Sequence, residues 1–228
     1  PISVTNAGTR IIAQAVVKAI TPALYASLDW AQKGFISLRV FEDHIRKLNE
    51  DFYSAVEDGE DFYVLFMDTA KAFDSVDHDF IIASLRHLGL PRWLLSLVKG
   101  LLHGVKVKPA FKGAKDIWIS IMRGVKQGCP LSPLLFVICY DVLLHKISKI
   151  KGVSAYACAD DLAVATKESS QLWAVMDLVN DFRSASGLGV NEDKTVILPA
   201  HEEDLAGEIA GCPWPQVRVA DKYKYLGV

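Results

Sequence analysis

The sequence predicts an α+β fold built around a ferredoxin-like βαββαβ sheet. Three observations support this. The run FYVLFM at 62–67 is continuously aromatic and aliphatic, and short enough for a buried strand. Two long helical stretches, 132–149 and 169–185, alternate with short β-prone runs. With the intervening segment from 69 to 131 set aside, the order from 62 to 198 is strand, helix, strand, strand, helix, strand.

Residues 9–28 predict a helix with an apolar stripe of Ile11, Ile12, Ala15, Val16, Ala19 and Ile20. An acidic helix over 41–58 follows, stopped by Gly59. After the 62–67 strand, helices are expected at 78–88 and 92–102, separated by Gly89-Leu90-Pro91. Residues 106–111 and 116–122 read as hairpin strands around Lys112-Gly113. Ser132 suits the cap and Pro133 the first turn of the apolar helix that follows. Strands are then expected at 153–158 and 162–166, a helix at 169–185, a strand at 194–198 and a final β segment at 217–226.

The composition, 51% hydrophobic and 23% charged over 228 residues, is that of a globular chain and excludes a disordered tail or a fibrous repeat. No apolar run approaches the roughly 18 residues of a membrane-spanning helix. The first residue is Pro1, so the chain is expected to be a domain excerpt from a longer protein. Cys129, Cys139, Cys158 and Cys212 show neither CxxC pairing nor zinc-ligand spacing, which predicts free thiols and an intracellular location, nucleus or cytoplasm. The net charge of −2 hides an asymmetry: residues 86–126 carry nine Lys/Arg against the single Asp116. That segment is +8 and the remainder −10, so a local basic stripe is available to a polyanion.

In the split βαβ topology the first and third strands are antiparallel neighbours. Asp68, ending the first, therefore meets the turn carrying Asp160 and Asp161. A lone Asp at a strand end is ordinarily a turn former, and so is a DD pair. Converging, three carboxylates repel one another unless a divalent cation neutralises them. Mg²⁺ is the natural candidate, because it combines carboxylate oxygens with substrate phosphates. Two such ions would serve in-line phosphoryl transfer, so the residues point to a nucleotidyl transferase.

The motifs DTAKAFDSV (68–76), RGVKQGCPLSP (123–133), ADD (159–161), GLGVN (187–191) with Lys194-Thr195, and KYLG (224–227) occur in order. Together they resemble the palm of a reverse transcriptase of the non-LTR (LINE-type) retrotransposon family. Residues 1–6 and the stretch QKGFI (32–36) through Arg39 resemble that family's finger motifs. The resemblance implies a right-hand fold with mostly helical fingers over 1–61, a palm over 62–228 with a finger/palm insertion at 75–122, and no thumb or endonuclease domain within the chain. It implies an RNA-directed DNA polymerase using Mg²⁺ (two ions, or Mn²⁺), dNTPs, an RNA template and a DNA primer. Asp68, Asp160 and Asp161 become the metal ligands, helped by the Thr69 carbonyl. Lys71 and Ala72 would offer N–H groups to the triphosphate, and Arg39 would reach it from the fingers. Phe73 would be the steric gate against a 2′-OH. Gln127 and Gly128 would pack on the incoming nucleotide, and Lys194 would protonate the leaving pyrophosphate.

Two positions depart from the family pattern. Cys158 stands where Tyr or Phe is usual, and Leu38 where glycine precedes the finger arginine. Two other readings stay open at this level: a group II intron maturase-type reverse transcriptase, and a catalytically inactive nucleic-acid-binding relic.

Overall fold

The structure, a computed structural model, describes residues 6–108, 117–201 and 211–226. The chain divides into two compact units, each assembled from separated stretches of sequence. One contains 29–70, 141–184 and 189–228; the other contains 1–28, 71–140 and 185–188.

The first of these units holds the sheet. Its strands are β1 (Tyr63–Ala70), β4 (Val153–Cys158), β5 (Asp161–Thr166), β6 (Gly189–Val190), β7 (Val196–Pro199) and β8 (Arg218–Val219), and the path runs β4-β5-β1-β7-β8. The order of β4, β5, β1 and β7 is that of the ferredoxin-like fold, with the central strand flanked antiparallel on both sides. Because β1 is central, Tyr63 to Met67 are all buried, which explains why this strand reads as an unbroken apolar run rather than an alternation. On one face Val64 and Phe66 join Ala163, Ala165 and Tyr156, and α2 (Glu42–Asp58) covers them with Leu48 and Ala55. Gly59 ends α2 with φ +68, a left-handed stop that suits glycine. α7 (Ser169–Ser186) buries Leu172, Val175, Met176, Val179 and Phe182 at helical spacing.

The other unit holds α1 (Ala7–Tyr25), α3 (Ala72–Ser75), α4 (His78–His87), α5 (Arg92–Leu102) and the short pair β2 (Lys106–Val107) and β3 (Ile119–Ser120). Asp77 caps α4 by accepting from the amides of Asp79 and Phe80. α5 buries Leu94, Leu95, Val98 and Leu102. The chain runs through both units within α6 (Ser132–Ile147), whose residues Leu134 to Tyr140 are buried all round.

Several expectations are corrected. Of the stripe expected on α1, Val16 is buried, but its buried companions are Ala13 and Leu24, and Ile11 is 71% exposed. The helix is apolar on most sides, so helical periodicity alone does not select its inward face. Strand β7 starts at Val196 because Glu192–Lys194 forms a 3₁₀ turn. The C-terminal β segment shrinks to Arg218–Val219, since the chain leaves the ladder to pack aromatic rings. Tyr223 stacks on Phe66 at 4.3 Å, and the Tyr225 hydroxyl donates to the Tyr156 carbonyl at 2.9 Å. The expected hairpin turn at Lys112-Gly113 lies outside the described residues. The four cysteines are free, as expected.

Candidate active site

β1 and β5 pair in a register that sets Asp68 directly opposite Asp161. β4 and β5 pair from Cys158↔Asp161 outward, so the hairpin turn consists of Ala159 and Asp160. Asp161 therefore opens the strand instead of sharing the turn with Asp160. Thr69 is buried, and its hydroxyl donates to the Asp160 carbonyl at 2.9 Å, tying the turn to the end of β1. The Asp68 carbonyl accepts from the Asn191 amide at 2.8 Å, and β6 pairs with Thr69 and Ala70. The 3₁₀ turn that follows aims Lys194 at Asp68, with Nζ 3.0 Å from Oδ2.

The electrostatics follow from this crowding. Burial, then the Asp68 charge, raises the Asp160 carboxyl above the ordinary range. Asp161 is raised by burial first, then by Asp160 and Asp68, with Lys194 opposing. The hydrogen bond and charge of Asp68 raise the Lys194 ammonium. Cys158 is raised by burial and by Asp161 and Asp160, and Tyr223 by burial and by Asp161 and Asp68. Among the described residues no three His, Cys, Asp or Glu side chains form a ready-made cage for a metal ion. The three carboxylates nonetheless share one sheet edge, and the Lys194 ammonium stands in there as the compensating cation. An all-oxygen set of this kind fits Mg²⁺ or Mn²⁺ and not a soft metal.

A second group of predicted residues meets within the other unit. Phe73, Lys126, Gln127, Gly128 and Cys129 line a cavity of about 480 Å³. Half-buried Phe73 stacks on Phe136 at 4.8 Å, and its carbonyl accepts from the Val125 amide at 2.7 Å. The cavity loop is held by the Ser132 hydroxyl, which donates to the Lys126 carbonyl at 2.6 Å. Gly128 has φ +83, a left-handed conformation that glycine adopts without strain. Lys71, exposed and with φ +49, and buried Ala72 lead the chain into α3.

Arg39 is tied to its own loop. Its Nη1 donates to the carbonyls of Asp29 and Gln32, and its guanidinium lies 4.7 Å over the Trp30 ring. Sequence reasoning also missed Tyr223, whose phenol feels the charges of Asp68, Asp161 and Lys194. The repeated Tyr of the KYKYLG stretch was the available signal.

The reverse transcriptase (RNA-dependent DNA polymerase) family profile matches residues 1–228. The chain belongs to that family. It is 27% identical to the Pol polyprotein of the type-2 retrotransposable element R2DM of Drosophila melanogaster, over the whole chain and 23% of the relative. It is 30% identical to the Pol polyprotein of an R2 element of Popillia japonica, over 86% of the chain and 29% of the relative. Such non-LTR relatives favour the retrotransposon-type reverse transcriptase over the maturase and relic readings. The chain spans about a quarter of their length. Its fold is similar to part of telomerase from Candida tropicalis (TM-score 0.65, 14% identity, 83% of this chain and 33% of that one). An apo telomerase truncated at its C-terminal domain gives 0.61, at 15% identity. The family generally uses divalent metal ions. No helix among the described residues is long and apolar enough to cross a membrane.

Proposed function

We propose that this chain supplies the fingers (1–61) and palm (62–228, with 75–122 inserted) of an RNA-directed DNA polymerase that adds dNTPs to a primer 3′-OH on an RNA template. The observation that carries the reading is the edge formed by Asp68, Asp161 and Asp160, crowded enough to raise two of the three carboxyls and already drawing an ammonium.

Two Mg²⁺ ions, held by Asp68, Asp160, Asp161 and the Thr69 carbonyl, would lower the pKa of the attacking hydroxyl and neutralise the leaving pyrophosphate. Lys194, its Nζ 3.0 Å from Asp68 Oδ2, would protonate the leaving pyrophosphate. Phe73 would act as the steric gate against a 2′-OH, its ring stacked on Phe136. By the family resemblance, Gln127 and Gly128 would pack on the incoming base, and the N–H groups of Lys71 and Ala72 would serve the triphosphate. Arg39, whose Nη1 donates to the Asp29 and Gln32 carbonyls, would reach the triphosphate from the fingers. The basic segment 86–126 serves the nucleic-acid backbone.

The test is primer extension on an RNA template with Mg²⁺, comparing the wild-type parent protein with Asp160→Asn. The variant is expected to keep the fold, with stability equal or higher because a repelling charge is gone. It should lose activity by several kcal/mol of transition-state stabilisation, roughly a thousandfold or more, as metal clamps supply. Near-normal extension by Asp160→Asn sinks the assignment.

A further inference from the structure

The turn that carries the carboxylates is held by one buried side chain from a distant loop. Gln32 is 0% exposed although it lies outside any helix or strand. Its Oε1 accepts from the Ala159 amide and from the Gly34 amide, both at 2.8 Å, and its Nε2 donates to the Ala159 carbonyl at 3.1 Å. A single carboxamide thus satisfies both backbone groups of Ala159, as a neighbouring strand would. The main chain repeats the attachment: Lys33 donates to the Ala157 carbonyl and Ala157 to the Ala31 carbonyl, each at 2.8 Å.

Two further features show that the attachment is exacting. Ala159 has φ +57, a left-handed conformation costing an L-residue roughly 1–2 kcal/mol, which persists where surrounding contacts over-determine it. Gly34 lies so close that a Cβ built on it would stand 2.1 Å from the Ala159 nitrogen. No side chain other than hydrogen admits that approach. On its far side the loop is anchored by Asp141, which accepts from the Asp29 amide at 2.7 Å.

We propose that Gln32 is a positioning residue for metal binding: it clamps the Ala159 peptide in the left-handed turn and so sets the carboxylates of Asp160 and Asp161 for a divalent cation. The inference rests on the metal-ligand reading given under Proposed function. Gln32 touches no ligand itself. Its effect passes through the peptide immediately preceding Asp160, whose carbonyl is in turn held by Thr69. Such outer supports typically change metal affinity by 10–100-fold when removed.

The experiment uses the whole chain, with Gln32→Met, which removes all three bonds, and Gln32→Asn, which keeps the amide but falls one methylene short. Mn²⁺ uptake is measured by electron paramagnetic resonance, and amide hydrogen exchange by NMR without metal. In both variants the Mn²⁺ dissociation constant is expected to rise about tenfold or more. The Ala159 amide should exchange at least about tenfold faster, while Leu65 and Val164 in the sheet core keep wild-type protection. A merely structural role would instead loosen Leu65 and Val164 together with Ala159. Uniform loosening, unchanged exchange at Ala159, or variants that bind Mn²⁺ like wild type would each overturn the inference. A wild-type chain that takes up no Mn²⁺ overturns the metal reading, and this inference with it. Should Gln32→Met fail to fold, Gln32→Asn decides the matter by the same measurements.

Discussion

Protonation of His44 is expected to loosen the sheet unit selectively in mild acid. The residue lies on the inner side of α2, 8% exposed, with its ring 5.2 Å edge-on to Tyr156. Its Nδ1 has no hydrogen-bond partner among the described residues. Burial, then the nearby Lys33 charge, pushes its pKa from 6.5 down to about 4, against the opposing pull of Asp43. An unfolded His44 takes up its proton near 6.5, whereas the folded one resists until about 4. The stability contributed by keeping it neutral is therefore complete above the unfolded value and lost as pH falls toward the folded one. At 1.4 kcal/mol per tenfold, the loss is about 2 kcal/mol between about pH 7.5 and pH 5, approaching roughly 3 kcal/mol below pH 4. Asp141, Asp160 and Asp161, raised mainly by burial, act with the opposite sign, since their folded carboxyls keep protons that the unfolded chain releases. Their effect is common to wild type and a His44→Leu variant, so the difference between the two isolates His44. Urea unfolding of both proteins across this pH range is the assay. His44→Leu is expected to match or exceed wild type at neutral pH, because it deletes an unsatisfied buried nitrogen, and to gain on it steadily below about pH 6.5. Parallel stability–pH curves for the two proteins would refute the reasoning.

Phe73→Ala is expected to raise rNTP use relative to dNTP in single-nucleotide extension, and to lose the ring pair with Phe136, about 0.5–1.5 kcal/mol beyond its buried area. Unchanged sugar selectivity in an active variant returns Phe73 to core packing. Reversing Lys106 and Lys108, together with Lys112 and Lys115 outside the described residues, to Glu should abolish salt-sensitive binding of an RNA–DNA hybrid in fluorescence anisotropy. Reversing Arg46 and Lys47 should matter little, because α2 already pairs them with Asp43, Glu50 and Asp51. Equal sensitivity to both sets would show the basic stripe to be only a solvated face.

The sequence by itself determined the element types and the route to the carboxylate edge. The FYVLFM run is short and rich in aromatic and β-branched residues, which suits a doubly covered strand, and a split βαβ order makes the first and third strands neighbours. That Asp68 comes close to Asp160 and Asp161 follows from that order, whereas the register that sets Asp68 directly opposite Asp161, outside the turn, was decided by the folded sheet. The family resemblance likewise grouped Phe73, Gln127 and Gly128, which line one cavity. Tertiary structure alone decided the rest. Which face of α1 turns inward, the pairing of Lys194 with Asp68, the diversion of Tyr223 and Tyr225 from a ladder into aromatic packing, and the clamp of Gln32 on Ala159 all join residues with no helical or strand period between them. Such contacts depend on which groups meet once the sheet has closed. A glutamine in a loop becomes a structural support only when a peptide 127 residues away presents both its N–H and its C=O to one amide.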